Sequence, residues 1–139
     1  TTRNPQDNPT LYMFRDQDLL NYSFYAPDWE FPSIDGVNRT ISQYEGKWLL
    51  LDFFATWCYY CKLQNPAMVQ LHDEYSTDEL QILHVTTSLG DSLVMLEDYA
   101  DEHDITWPIV YGTDKIAADY FRIIGIPTTV VIDPDGIIR

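Results

Sequence analysis

The stretch that most restricts what this chain can fold into is Trp48 to Ala55, Trp-Leu-Leu-Leu-Asp-Phe-Phe-Ala, a near-continuous apolar run with one acid inside it. A strand wetted on one side alternates apolar and polar residues. A run this unbroken reads as a strand buried on both faces, which needs helices on both sides of the sheet and so an α/β fold. The only two cysteines of the chain, Cys58 and Cys61, follow at once.

One domain suits 139 residues, and 45% hydrophobic with 14% aromatic content supplies a core. The net charge of -14, from 22 acidic against 8 basic residues, argues against nucleic acid and anionic lipid as partners, since both are bound through Lys and Arg. An ordinary solvated acidic surface is preferred over a high-salt or acid-environment one. No apolar stretch reaches the roughly 20 residues of a membrane span. The first residues, Thr1-Thr2-Arg3-Asn4-Pro5, carry neither an initiator Met nor a signal core and read as a mature or trimmed product. The sequons Asn21-Tyr22-Ser23 and Asn38-Arg39-Thr40 would permit glycosylation in a secreted setting, although such tripeptides are common by chance.

Residues 1–25, with Pro5, Pro9 and no sustained period, read as an arm in which Leu11, Tyr12, Met13 and Phe14 dock; residues 26–139 read as the domain. Trp29 to Phe31, a turn over Ser33 to Gly36, and Asn38 to Ile41 read as a β-hairpin entering it. Helical spacing starts at the cysteines and carries Leu63, Ala67, Leu71 and Tyr75 on one stripe, with a kink expected at Pro66. Leu80 to Thr87 reads as a strand and Asp91 to His103 as an amphipathic helix capped by Asp91 or Ser92. Short strand Ile109 to Tyr111, helix Lys115 to Phe121 and β-branched strand Thr128 to Asp133 follow, closed by a Pro134-Asp135-Gly136 turn. The order is βαβα and then an antiparallel hairpin.

Two cysteines at i and i+3 in a first helical turn have Cβ atoms about 5 to 6 Å apart, close enough for a disulfide. The positive end of the helix dipole favours the Cys58 thiolate over the thiol, whose ordinary pKa is about 8.5. Cys58 is therefore the attacking sulfur, and the better shielded Cys61 resolves a mixed disulfide by attacking it. Two other readings compete. A structural zinc site would need four ligands, and His72, His84 and His103 have no paired spacing with the cysteines. An inert structural disulfide over so short a loop restricts the unfolded chain little.

Asp52-Phe53-Phe54-Ala55-Thr56-Trp57-Cys58-Tyr59-Tyr60-Cys61-Lys62, with Pro66 beyond, resembles the active-site strand and helix of thioredoxins. With Ala26-Pro27-Asp28-Trp29, Ile41 to Lys47, Gly125-Ile126-Pro127-Thr128-Thr129 and Ile132 to Ile137, residues 26–139 are similar to the TlpA/ResA-like thiol:disulfide oxidoreductases. The resemblance implies a thioredoxin fold: a central mixed β-sheet flanked by helices, here with an N-terminal β-hairpin extension. It also implies a cis Pro127 facing the cysteines and a backbone at Ile126 that pairs with a substrate chain as an added strand. Trp57, Tyr59 and Tyr60 would form an apolar docking rim, joined by Trp107 unless that residue belongs to the core. The redox-active disulfide serves in place of a cofactor. Implied partners are protein thiols and disulfides and a thioredoxin-like or membrane electron donor, with the chain monomeric and extracytoplasmic.

Ionised carboxylates are costly inside a strand, so burial favours the protonated form of Asp52, which could exchange a proton with Cys61 through a water. Thioredoxins give their buried aspartate this role. The bland alternative is an aspartate whose strand end meets solvent. His84 lies near where thioredoxins place a lysine beside that aspartate; a histidine satisfied elsewhere or exposed is the preferred reading. Many TlpA/ResA-like proteins carry a glutamate at the position of Gln64 and a neutral residue at that of Asp52, so here the acid comes from the strand. Tyr59-Tyr60 lacks the usual proline, which leaves the redox potential open over about -270 to -120 mV and the direction of electron flow with it.

The fold would normally continue past Ile137-Ile138-Arg139 into a further strand and helix, so a trimmed or longer native chain is expected. Alternative functions are a general cytosolic thioredoxin-like reductant and a non-catalytic module binding clients or metal beside Pro127. A thiol peroxidase is disfavoured, because the Thr56-Trp57-Cys58 context lacks the threonine that related peroxiredoxins place three residues before their reactive cysteine.

Overall fold

A computed structural model describes residues 25–113, 121 and 123–139. The arm before Tyr25, the Asn21 sequon and, apart from Phe121, the helix expected over 115–121 lie outside the described residues. In chain order the elements are strands β1 (Glu30–Phe31) and β2 (Arg39–Thr40), a 3-10 turn at Ser42–Tyr44, strand β3 (Trp48–Phe54) and helix α1 (Tyr59–Glu74). Strand β4 (Leu80–Thr86), helix α2 (Leu93–Glu102) and strands β5 (Ile109–Tyr111) and β6 (Thr128–Ile132) follow. The sheet order is β5-β4-β3-β6, with β3, β4 and β5 parallel and β6 antiparallel to β3.

Apolar residues fill both faces of β3. Leu49, Leu51 and Phe53 join Phe31, Leu83, Val85, Val110, Phe121 and Ile132 on one side. Leu50 and Phe54 join Cys58, Cys61, Met68, Leu96, Tyr99 and Trp107 on the other. Each fully buried Leu or Phe contributes about 1.5 to 3 kcal/mol, so a strand apolar on both faces anchors two cores at once. Period-two alternation puts Asp52 on the cysteine side, between Leu50 and Phe54.

Both sheet edges are covered, which keeps them from pairing with foreign strands. β1 and β2 form a short antiparallel hairpin, and the turn beyond β1 lies along β5: Ile34 N–H donates to Ile109 O at 3.0 Å and Tyr111 N–H to Pro32 O at 2.8 Å. At the other edge a turn at Asp133 to Gly136 folds Ile138 back onto Ile132, and Arg139 N–H donates to Val131 O at 2.7 Å. Asp133 Oδ1 accepts the N–H groups of Asp135 and Ile137, and Gly136 supplies the positive φ of 84°. After β5, Gly112 N–H donates to Thr86 O at 2.9 Å, and a Cβ at Gly112 would run into the Val85 side chain.

Helix α1 continues through Pro66 to Glu74. Its buried face is Cys61, Asn65 and Met68, with Val69 and His72 partly buried, whereas Leu63, Ala67 and Tyr75 are exposed. Of the expected stripe, Leu71 packs against the core, whereas Leu63, Ala67 and Tyr75 face outward. Polar Asn65 stands on the inner face and apolar Leu63 on the outer one, which inverts the hydropathy signal. Helix α2 is capped by Ser92, whose Oγ accepts Met95 N–H at 3.2 Å. No helix among the described residues is long and apolar enough to cross a membrane.

Candidate active site

The cysteines sit where β3 gives way to α1. Cys58 is the N-cap of the helix and Cys61 lies in its first turn; the two are joined in a disulfide with Cα atoms 5.3 Å apart. Cys58 Sγ accepts Cys61 N–H at 3.2 Å, the usual N-cap bond to an otherwise orphaned helix donor. This places Cys58 at the positive end of the helix dipole. Cys61 is fully buried, whereas Cys58 keeps 6% of its surface exposed.

Around Cys58 the surface is aromatic. Trp57, Tyr59 and Tyr60 are 68%, 65% and 68% exposed, and the two tyrosine rings meet edge-on at 5.4 Å. Trp57 Nε1–H donates to Ser88 Oγ at 3.2 Å, tying the cysteine loop to the segment after β4. That loop is also held by Asp91, a buried carboxylate. Its oxygens accept Thr56 N–H at 3.1 Å, Thr56 Oγ–H at 2.5 Å and Thr86 Oγ–H at 2.8 Å.

The Ile126–Pro127 peptide bond is cis. The β3–β6 ladder ends at Phe53 opposite Thr128, so Ile126 and Pro127 lie just beyond it, and Ile126 is partly buried against both cores.

Asp52 is completely buried, so the reading of a strand end that meets solvent does not hold. The register explains its surroundings: β4 sets His84 directly opposite Asp52 on one side, and β6 sets Thr129 opposite it on the other. Gln64 of α1 closes the group from above, its amide donating at 3.1 Å to both Asp52 Oδ1 and Thr129 Oγ. His84 Nε2 lies 3.0 Å from Asp52 Oδ2, and both side chains are fully buried. His84 is thus buried beside Asp52, which rules out the exposed reading, while its hydrogen bonds go to Asn65 and Trp107, as the reading of a satisfied histidine expects. The proximity is not a directed hydrogen bond: His84 Nε2 is hydrogen-bonded to Asn65 Oδ1, 3.2 Å away, and Asp52 Oδ2 receives no directed donor among the described residues.

Behind His84 the network continues into the core. Trp107 Nε1–H donates to His84 Nδ1 at 2.8 Å, and Asn65 Nδ2–H donates to the Tyr99 hydroxyl at 2.8 Å. Burial pushes the Tyr99 phenol up to about 12, partly offset by the Asn65 bond, so it stays protonated at neutral pH. Trp107 is therefore a core residue bonded to His84 and no part of the rim. Asn65, Tyr99 and Asp91 escaped the sequence reading. Asn65 could have been found by its i+4 spacing from Cys61, which shares its helix face; Tyr99 and Asp91 carry no local signal. The exposed Asn38 amide donates to Glu30 Oε1 at 3.0 Å. No group of three or more His, Cys, Asp or Glu side chains is gathered as a metal site among the described residues.

Comparison with known proteins agrees with this geometry. A thioredoxin domain of a Bacteroides vulgatus thiol-disulfide oxidoreductase superposes with a TM-score of 0.74 at 21% identity, over 82% of each chain. A Bacteroides fragilis thiol-disulfide oxidoreductase gives 0.73 at 23% identity, over 82% of this chain and 86% of that one. These likenesses show the thioredoxin fold. In sequence, the chain is 36% identical to the thioredoxin-like protein YneN of Bacillus subtilis over 115 residues, 82% of this chain and 66% of that protein. It is 34% identical to the thiol-disulfide oxidoreductase ResA of Oceanobacillus iheyensis, over 80% of this chain and 59% of that one. The chain thus spans under two thirds of either relative's length. The AhpC/TSA family matches residues 25–139, and the chain belongs to that family.

Proposed function

We propose that this chain is a thiol:disulfide oxidoreductase that reduces or exchanges disulfides of other proteins through a dithiol/disulfide cycle of Cys58 and Cys61. The observation that carries the reading is the cysteine pair bonded across the start of α1, with Cys61 fully buried and Cys58 less so.

The Cys58 thiolate attacks a client disulfide, forming a mixed disulfide and releasing one client thiolate, which takes a proton from water. Cys61 gives its proton to Asp52 through a water and attacks the Cys58 sulfur; the Cys58–Cys61 bond forms and the second client thiolate leaves, protonated in turn. Two electrons and two protons pass to the client. An external dithiol, from a thioredoxin-like or membrane donor, reverses the sequence on the protein.

Trp57, Tyr59 and Tyr60 supply an apolar rim for the client segment around its sulfur, and the backbone at Ile126, beside Pro127 and beyond the last ladder pair, accepts it as an added strand. We assign catalysis to a domain over residues 26–139 preceded by an arm over 1–25. The family resemblance favours a monomer working outside the cytoplasm, with the disulfide as its only redox group.

The test is trapping. Cys61→Ser should accumulate a covalent adduct with a disulfide-bonded client, detected by mass and released by dithiothreitol, whereas Cys58→Ser should form none and lose turnover. Turnover that survives in Cys58→Ser would refute the reading.

A further inference from the structure

Trp107 and His84 hold a proton arrangement that the cycle above does not use. An indole nitrogen can only donate, so the 2.8 Å bond from Trp107 Nε1 means that His84 Nδ1 carries no proton. The single ring proton is then on Nε2, which faces Asn65 Oδ1 and lies beside Asp52 Oδ2. Neither nitrogen has room for another proton: Nε2 already bears one, and Nδ1 spends its lone pair on the indole. Meanwhile Gln64 occupies Asp52 Oδ1, and Oδ2 is the buried carboxylate oxygen left without a directed donor.

We propose that His84 is a positioning residue, locked by Trp107 as the neutral Nε2–H tautomer so that it cannot compete for the proton that Asp52 Oδ2 exchanges with Cys61. The inference rests on the oxidoreductase reading above. A basic imidazole next to the proton-carrying carboxylate would otherwise take a second proton and hold Asp52 as an anion in a buried ion pair. Trp107 removes that outcome, and the proton exchanged in each half-cycle stays between Asp52 and the cysteine.

The groups facing the pair are few. From α1 come Gln64, Asn65 and, across the indole, His72, whose ring lies 5.0 Å from that of Trp107. Tyr99 comes from α2, raised by burial and further by Asp52, Asp91 and Glu102, and Thr129 comes from β6. Phe54 closes the ring edge-on at 4.9 Å. Of these groups His72 alone is an imidazole, and it stands on the far side of the indole.

The experiment combines nitrogen-15 spectroscopy of the histidine rings with the pH profile of mixed-disulfide resolution, started from protein carrying a chromogenic aryl thiol on Cys58. In the parent protein His84 should show an unprotonated Nδ1 and a protonated Nε2. Trp107→Phe keeps a ring against His72 but removes the donor; the second proton can then bind, and the acid limb of the profile should move down by about 1 to 3 pH units as Asp52 gains a cationic neighbour. His84→Gln, which cannot become a cation, should keep the acid limb in place whatever it does to the absolute rate. The double variant Trp107→Phe/His84→Gln should therefore return the limb to its parent position. A proton on Nδ1 in the parent spectrum would overturn the proposal, as would an unmoved limb in Trp107→Phe or a shift that persists in the double variant. If the parent does not resolve the mixed disulfide at all, the oxidoreductase reading fails, and the parent spectrum still decides the tautomer separately.

Discussion

Asp91 offers a measurable link between the cysteine loop and the body of the fold. Its carboxylate takes three donors, two from Thr56 and one from Thr86, and so fastens the segment two residues before Cys58 to the end of β4. Hydrogen bonds to a charged acceptor are worth about 1.5 to 3 kcal/mol each, but the three do not add in full. Thr56 is only half-buried, and water takes over its donors when the carboxylate is gone; Thr86 is fully buried and its hydroxyl loses its acceptor. Asp91→Ala should therefore cost about 3 kcal/mol, or about 10 °C in the melting temperature of a chain this long. Asp91→Asn keeps an oxygen for Thr56 N–H and Thr86 and turns its amide toward the Thr56 hydroxyl, so it should lose only about 1 kcal/mol of charge assistance. Thermal and urea unfolding of the oxidised protein, followed by circular dichroism, gives both values. A loss under about 1 kcal/mol for Asp91→Ala, or equal losses for the two variants, would refute the clamp.

Two further outcomes are expected. Asp52→Asn should fold, because a flipped Gln64 amide can meet the new amide and still accept from Thr129, yet stopped-flow resolution of a Cys58 mixed disulfide should slow by about 10² to 10⁴-fold at neutral pH; an unchanged rate would remove Asp52 from the mechanism. Asp133 is worked upward by burial but held below the ordinary carboxylate range by the backbone N–H groups of Ile137 and Asp135 and by Arg139. A lowered folded value means that its stabilisation is present above the ordinary range near pH 4 and is lost as the pH falls through the lowered value. Parent and Asp133→Asn melting temperatures, measured from pH 6 to pH 2, should converge at the acid end; a gap that stays constant would contradict the assignment.

Much of the site was legible because the local rules and the fold agree. An apolar run with no alternation suits a strand covered on both faces, and a cysteine pair at i and i+3 just after it suits the opening turn of a helix. The partner of Asp52 was legible in principle as well: Asp52 and His84 are each the fifth residue of their strands, and a parallel ladder in register from Trp48 and Leu80 sets them side by side. The sequence reading left that count undone and favoured the commoner fate of a lone histidine. The inner face of α1 was misread because the residue needed there, Asn65, is polar and serves Tyr99 and His84, while Leu63 lies outside near the rim. Trp107 was ambiguous for a related reason: an indole suits a rim or a core equally, and only the tertiary structure supplies the acceptor that decides between them.

The central claim is that Cys58 and Cys61 cycle as one two-electron couple. Equilibrating the protein in glutathione buffers of graded potential, quenching with acid and counting free thiols by alkylation and intact mass tests this directly. The expected result is a single transition between the dithiol and the Cys58–Cys61 disulfide with two-electron steepness, at a midpoint between about -270 and -120 mV. A pair that stays oxidised or reduced across that whole range, or that ends as separate glutathione adducts on each cysteine, would contradict it.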